Sequence, residues 1–259
     1  MQVLIVEAPG QLTRLLVAQL AESHEVRLLA PTGAPSWPLE TVPERLRRRV
    51  SRLEGDLLDA DSAWRAVRGI DAVIHSGELP RWAAEAGRQP DDLLDWFTRG
   101  THVLLKAAVE AGARRAVLGS TLDLFRGYPD DVYITENRRP RPEPEPEPMA
   151  RYLAEQVLRE FVRDNPLTGT VLRLGRLAWD GRGARSDADG MWLDGRDAVA
   201  AFALALGRDA SQEPRWTSRW QVLHICGDHP NPRFLTTAAQ RAGWAPRHGP
   251  AAPGEAAGT

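Results

Sequence analysis

A chain of 259 residues with 42% hydrophobic and 26% charged residues can form one large domain, or one domain with a small appendage. A formal net charge of −2 gives no electrostatic footprint for nucleic acid or an anionic membrane surface. No apolar run approaches the roughly 20 residues that span a bilayer, and the single cysteine, Cys226, excludes an internal disulfide, so a cytoplasmic protein is expected.

Apolar runs alternate with helix-period segments from the start. "QVLIVE" (2–7) reads as a buried strand, followed by a turn at Pro9-Gly10 and a helix to about residue 22. No leader segment is expected ahead of that strand. "EVRLLA" (25–30) and "RVSRLEGD" (49–56) are the next strands. A short helix over Ser62–Val67 precedes "DAVIHS" (71–76), the fourth. A long helix covers 91–111, with Leu93, Leu94, Phe97, Leu104, Leu105 and Ala108 on its apolar side. "RAVLGS" (115–120) is the fifth strand, and a helix from Met149 to Arg163 leads to "GTVLRLG" (169–175), the sixth. The pattern then weakens: a helix at 194–207, a strand at 220–227 and a helix at 233–244 are expected, with a disorder-prone tail.

Such alternation implies an α/β fold with a parallel sheet and helices on both faces. Ligands in these sheets bind at the carboxyl ends of the strands, near the topological switch point. The proline–glutamate run at 142–148 predicts a stiff polyproline II connector before its helix. Lys106 is the only lysine, so any mechanism that needs a lysine must use it or do without. His224 and Cys226 alternate on one strand, but a half-buried strand explains them better than a metal site, and no metal is expected. His75 reads as a pocket-wall or hydrogen-bonded residue. Trp192, Trp216 and Trp220 fall where they could line a pocket, with core packing as the simpler reading.

Several landmarks occur in a familiar order: "GDLLD" (55–59), "DAVIHSG" (71–77), "GTHVLLKAAVEAGARRAVLGST" (100–121), "ITENRRPRPE" (134–143), "LAEQ" (153–156) and "LRLG" (172–175). On these the chain resembles the extended short-chain dehydrogenase/reductases, the NAD-dependent epimerase/dehydratase group. Its closing stretch is similar to uronate-dehydrogenase-like members, whose C-terminal substrate region is also small. The resemblance implies a Rossmann-type, doubly wound parallel sheet. Residues 1–175 would form the NAD(P)-binding-type domain, 176–246 a reduced substrate region interleaved with the sheet, and 247–259 a disordered tail.

The same resemblance locates the site. It implies NAD or NADP as cofactor, with Gly10, Gln11, Leu12, Asp56, Leu57, Ser76, Gly77 and Arg151 at the cofactor-binding positions. The family's glycine-rich turn is reduced to "EAPGQLT", in which only Gly10 survives. Glu7 stands where a pyrophosphate should approach, and Ala30, Pro31 and Thr32 lack the acid or arginine that would read the ribose. Thr121 matches the catalytic Ser/Thr. Glu147 and Arg151 stand at the catalytic tyrosine and lysine, and Phe97 at the asparagine. Tyr152 is no substitute, being rotated by about 100° along the helix.

An arginine is a poor proton relay, although Glu147 could be a base if its pKa were raised. Glu147, Arg151, Glu155 and Arg159 repeat at i, i+4, and the favoured reading is a solvated, mutually paired helix face. Two functions are therefore expected. The first is a divergent member without ordinary Tyr/Lys redox catalysis, binding a small molecule, sugar-like or otherwise, or a partner protein. The second is an active NAD(P)-dependent oxidoreductase or epimerase on a sugar-like substrate, with Thr121, Glu147 and Arg151 in altered roles. The helices at 91–111 and 149–163 are the candidates for a homodimer interface.

Overall fold

The computed structural model describes residues 1–6, 10–32, 42–79, 89, 91–179, 190–230 and 232–249. Glu7, on which the expected repulsion of a pyrophosphate rests, lies outside the described residues, as does the tail from residue 250.

Seven strands form one parallel sheet. They are β1 (Gln2–Val6), β2 (Glu25–Ala30), β3 (Val50–Glu54), β4 (Ala72–His75), β5 (Arg115–Thr121), β6 (Thr168–Leu174) and β9 (Trp220–Ile225), in the order β3-β2-β1-β4-β5-β6-β9. Between the last two in sequence, β7 (Arg176–Ala178) and β8 (Trp192–Asp194) pair with each other. The order reverses between β1 and β4, and the loops that follow these two strands flank the switch point.

The central strands read as unbroken apolar runs because both faces are covered. In β1, Val3 and Ile5 enter one core layer while Leu4 and Val6 enter the other. The first layer packs against α1 (Gln11–Leu20) and α6 (Gly195–Gly207), through Leu12, Leu16, Val199 and Phe202. The second packs against α3 (Ala60–Val67), α4 (Asp91–Glu110) and α5 (Pro146–Asp164), through Ala63, Phe97, Leu104, Ala154 and Leu158. A smaller cluster of Leu122, Phe125, Ile134, Met191, Cys226 and Phe234 lies beneath the loops at the carboxyl end.

Several boundaries depart from the sequence expectation for local reasons. Helix α3 starts at Ala60 because the Asp59 carboxylate caps it, accepting the N–H groups of Asp61 and Ser62. Helix α5 starts at Pro146, inside the expected connector, since prolines in a first turn forgo N–H groups that would have no helical partner. The last helix, α8, covers only Thr237–Arg241, because Phe234 is buried in a bridge with Ile134 instead of continuing it. Two short helices, α2 (Glu44–Arg47) and α7 (Trp216–Arg219), have no apolar period long enough to read. Among the described residues, no helix is long and apolar enough to cross a membrane.

Candidate functional site

Helix α1 begins at the switch point, with Gly10 as its N-cap and the first backbone N–H groups without helical partners. The loop after β4 supplies them with one. Gly77 has φ +77°, a conformation that a side chain disfavours, and a Cβ there would lie 2.2 Å from the Gly119 carbonyl oxygen. This tight turn sends Glu78 back toward α1. The Glu78 carboxylate accepts from the N–H of Leu12 at 3.2 Å, from the N–H of Thr13 at 2.8 Å, and from the Thr13 hydroxyl. Gly10 makes room for it: a Cβ at Gly10 would fall 1.7 Å from Glu78 Oε1, although its own φ of −74° is ordinary. Ser76 completes the cluster, its Oγ accepting the Glu78 N–H at 3.4 Å and lying 3.3 Å from Thr13 Oγ1. Burial raises the Glu78 pKa, opposed by the Thr13 and Leu12 donors and by the Arg151 charge.

Arg151 secures the same loop from α5. It donates to the Gly77 carbonyl, donates to Glu147 Oε1 at 3.0 Å, and its guanidinium lies 5.3 Å from the Phe97 ring centroid. Phe97 is thus the platform for the arginine. The Arg151 side chain is 11% exposed and that of Glu147 49%, so the pair runs from the interior to the surface. Burial lowers the Arg151 pKa, while Glu147, Asp123 and Glu78 hold it up.

The expected mutual pairing along this helix holds for Glu147 with Arg151, but the solvated face does not, since Arg151 is largely buried. Glu155 is buried, accepting a hydrogen bond from Ser120 at 2.6 Å and a two-pronged contact from buried Arg173, whose Nη2 is 2.8 Å away. Arg159 instead lies over the Trp216 ring. The reason is helical arithmetic: each i to i+4 step advances the row by about 40°, so two steps carry it from solvent toward the core.

Thr121 is turned to local work. Its hydroxyl accepts the Asp123 N–H at 3.1 Å and lies 3.2 Å from the Asp123 carboxylate, capping the short 3-10 turn Leu122–Phe125. His75, at the end of β4, is buried edge-on against Trp96 with ring centroids 4.7 Å apart. Its Nδ1 accepts the Gly77 N–H at 3.1 Å, which leaves the proton on Nε2. Burial first, then the Arg151 charge, pushes its pKa down to about 3.

A cavity of about 260 Å³ opens at the carboxyl ends of β1, β2 and β3, with Trp96, the ring against which His75 packs, in its wall. Asp56 and Leu57, both expected at the cofactor positions, line it. Asp56 also accepts the Leu58 N–H at 2.9 Å, and Leu57 packs onto α4 at Gly100. Trp96, Asp92 and Asp95 on α4 line it too, and sequence reasoning missed all three. Helix periodicity could have brought Trp96 forward as the neighbour of Phe97; nothing in the spacing singles out the two aspartates. Glu78 was missed as well. Gln11 is exposed at the first position of α1. Trp192 packs on Gly227, and Trp216 lies far along α5 beneath Arg159, so these tryptophans do not gather at the cleft.

A dinucleotide's pyrophosphate would approach the N-terminus of α1, where the Leu12 and Thr13 N–H groups point. Those donors are engaged by Glu78, so in this arrangement the described residues do not fit the group. Position 147 is a surface carboxylate, and position 151 is a guanidinium committed to Gly77 and Glu147.

A model of NAD(P)H-binding domains matches residues 8–210. Among solved structures, uronate dehydrogenase from Agrobacterium tumefaciens superposes with a TM-score of 0.74 at 19% identity, covering 95% of this chain and 84% of that one. UDP-glucose 4-epimerase from Thermotoga maritima gives 0.70 at 19% identity, covering 95% and 94%. The dTDP-glucose 4,6-dehydratase from Streptomyces venezuelae, solved with NAD bound, gives 0.69 at 22% identity, covering 94% and 79%. The family match over residues 8–210 places the chain in the NAD(P)H-binding family, and the seven-stranded parallel sheet with its switch point between β1 and β4 is the fold it shares with these solved structures.

Proposed function

We propose that this chain is a cytoplasmic, non-redox member of its family, which binds a small molecule or a partner in the inherited cleft without Tyr/Lys hydride chemistry. The observation that carries the reading is the fate of positions 147 and 151. Proton transfer to a substrate oxygen needs a positioned group whose pKa lies near the working pH. Arg151 is a permanent cation fixed on the Gly77 carbonyl and Phe97, and Glu147 is half exposed at the end of an i, i+4 ion pair. Thr121 caps its own turn.

The test is turnover. The purified chain, supplied with NAD or NADP and a panel of uronates and nucleotide sugars, is expected to produce no reduced nicotinamide above the protein-free rate. Sustained turnover that is lost in Glu147→Gln would establish the active-oxidoreductase alternative and overturn this reading.

We propose further that two copies associate through α4 and α5. Supporting this is a groove of about 610 Å³ along those helices, lined by His102, Leu153, Val157 and Phe161, in which Leu153 is 36% exposed. Sedimentation should give a dimer for the native chain and a monomer for Leu153→Asp. A native monomer would refute the association.

A further inference from the structure

We infer that Glu78 is an internal anion standing in the place of a ligand's phosphate, so that this cleft rejects phosphate-bearing ligands and takes neutral or cationic ones with N–H or O–H donors. The inference rests on the reading that the cleft binds a small molecule, and it names the class of that molecule.

Three independent features support it. The first is the hydrogen bonding: two successive backbone N–H groups at the start of a ten-residue helix, and one hydroxyl, converge on a single carboxylate. That donor set is the one helix N-termini offer to phosphates and sulfates. The second is that the surroundings are shaped to hold the carboxylate there. Gly10 leaves the space its oxygen fills, and the positive φ of Gly77 turns the loop. Arg151 pins the Gly77 carbonyl from another helix. A side chain that had merely swung into an open cradle would need none of these.

The third feature lies in the cavity at the strands' carboxyl ends. Asp56, Asp92 and Asp95 line it, and among the described residues that line it there is no lysine or arginine. An anion entering this cavity therefore meets three carboxylates, and one approaching the α1 N-terminus meets Glu78. Arg151, the cation that the described residues bring to the Glu78 loop, is already paired with Glu147 and the Gly77 carbonyl. Like charges disfavour a second anion, and an ammonium or hydroxyl donor would instead be drawn to the acidic wall.

The experiment titrates adenosine, ADP and NAD into the full-length native chain, Glu78→Gln and Glu78→Ala by calorimetry, with melting curves to establish that each variant folds. Glu78→Ala is expected to bind ADP and NAD at least about 100-fold more tightly than the native chain, with adenosine affinity changed by less than about 3-fold. Glu78→Gln, which removes the charge and keeps the shape, should fall between. Folded variants with no gain for ADP or NAD would reduce Glu78 to a helix cap and overturn the inference. So would native binding of NAD as tight as in Glu78→Ala. Native NAD binding without turnover sinks this inference alone, whereas turnover of a uronate by the native chain sinks the preceding reading. A gain of NAD binding in Glu78→Ala with no turnover supports both.

Discussion

The carboxylate of Glu78 lies 2.8 Å from the backbone N–H of Thr13, joining residues 65 apart in sequence. One end of the contact is the start of α1 and the other the loop after β4, so it closes the switch point of the sheet from within. Its neighbours follow from it: Gly10 is small because the carboxylate rests on it, and Arg151 is buried because it holds the carboxylate's loop.

Gly10→Ala should act through Glu78. The added methyl would overlap the carboxylate and dislodge it, losing charge-assisted hydrogen bonds each worth about 1.5–3 kcal/mol. Urea unfolding of Gly10→Ala, Glu78→Ala and the double variant checks this. The double variant is expected to lose far less than the sum of the singles, and simple additivity would show that the two residues are uncoupled.

Arg151 and Glu147 should be unequal partners. Glu147→Gln is expected to change stability by less than about 0.5 kcal/mol, since its side chain is half exposed and the pair is screened. Arg151→Ala should cost about 2 kcal/mol or more and speed amide exchange at Glu78, because the Gly77 carbonyl and the Phe97 face lose their partner. Arg151→Lys should not restore protection, an ammonium lacking the planar fork. Equal losses at positions 147 and 151 would contradict this ranking.

The Glu155–Arg173 pair is buried at both ends, unlike the pair at positions 147 and 151, whose Glu147 end is half exposed. With side chains 1% and 5% exposed, removing either charge alone strands the other. Glu155→Gln or Arg173→Met should each cost about 3–5 kcal/mol, and the combination Glu155→Leu with Arg173→Met markedly less than the two singles together. Thermal unfolding of the four proteins decides it.

Acid should destabilise the fold before ordinary carboxylates titrate. Burial holds the pKa of His75 and of His224 down to about 3, aided at His75 by Arg151 and at His224 by Arg173. In the unfolded chain both take up protons near pH 6.5. From there downward the unfolded state binds more protons, and each histidine removes up to about 1.4 kcal/mol per pH unit. Glu78, with its pKa raised by burial, works in the opposite direction as it protonates in the folded chain. His224→Leu should roughly halve the fall in urea midpoint between about pH 6 and pH 4.5, and an unchanged slope would show that His224 is not the group responsible.

The amino-acid sequence alone decided the layers of the fold and put a carboxylate and a guanidinium four residues apart at positions 147 and 151. Strand and helix periods are local, and an i, i+4 relation within one helix can be counted without coordinates. Even there, the stripe from Glu147 to Arg159 misled, because its slow rotation around α5 puts Glu155 against Arg173, a residue on another strand. Spacing after the first strand pointed to Glu7 as the carboxylate facing a pyrophosphate; among the described residues the carboxylate at that helix start is Glu78. Its arrival there depends on the parallel register of β1 with β4 and on one left-handed turn at Gly77. Loop geometry has no period to read, and contacts across a sheet exist only once the strands have paired. The position of Glu78 was therefore settled by tertiary structure.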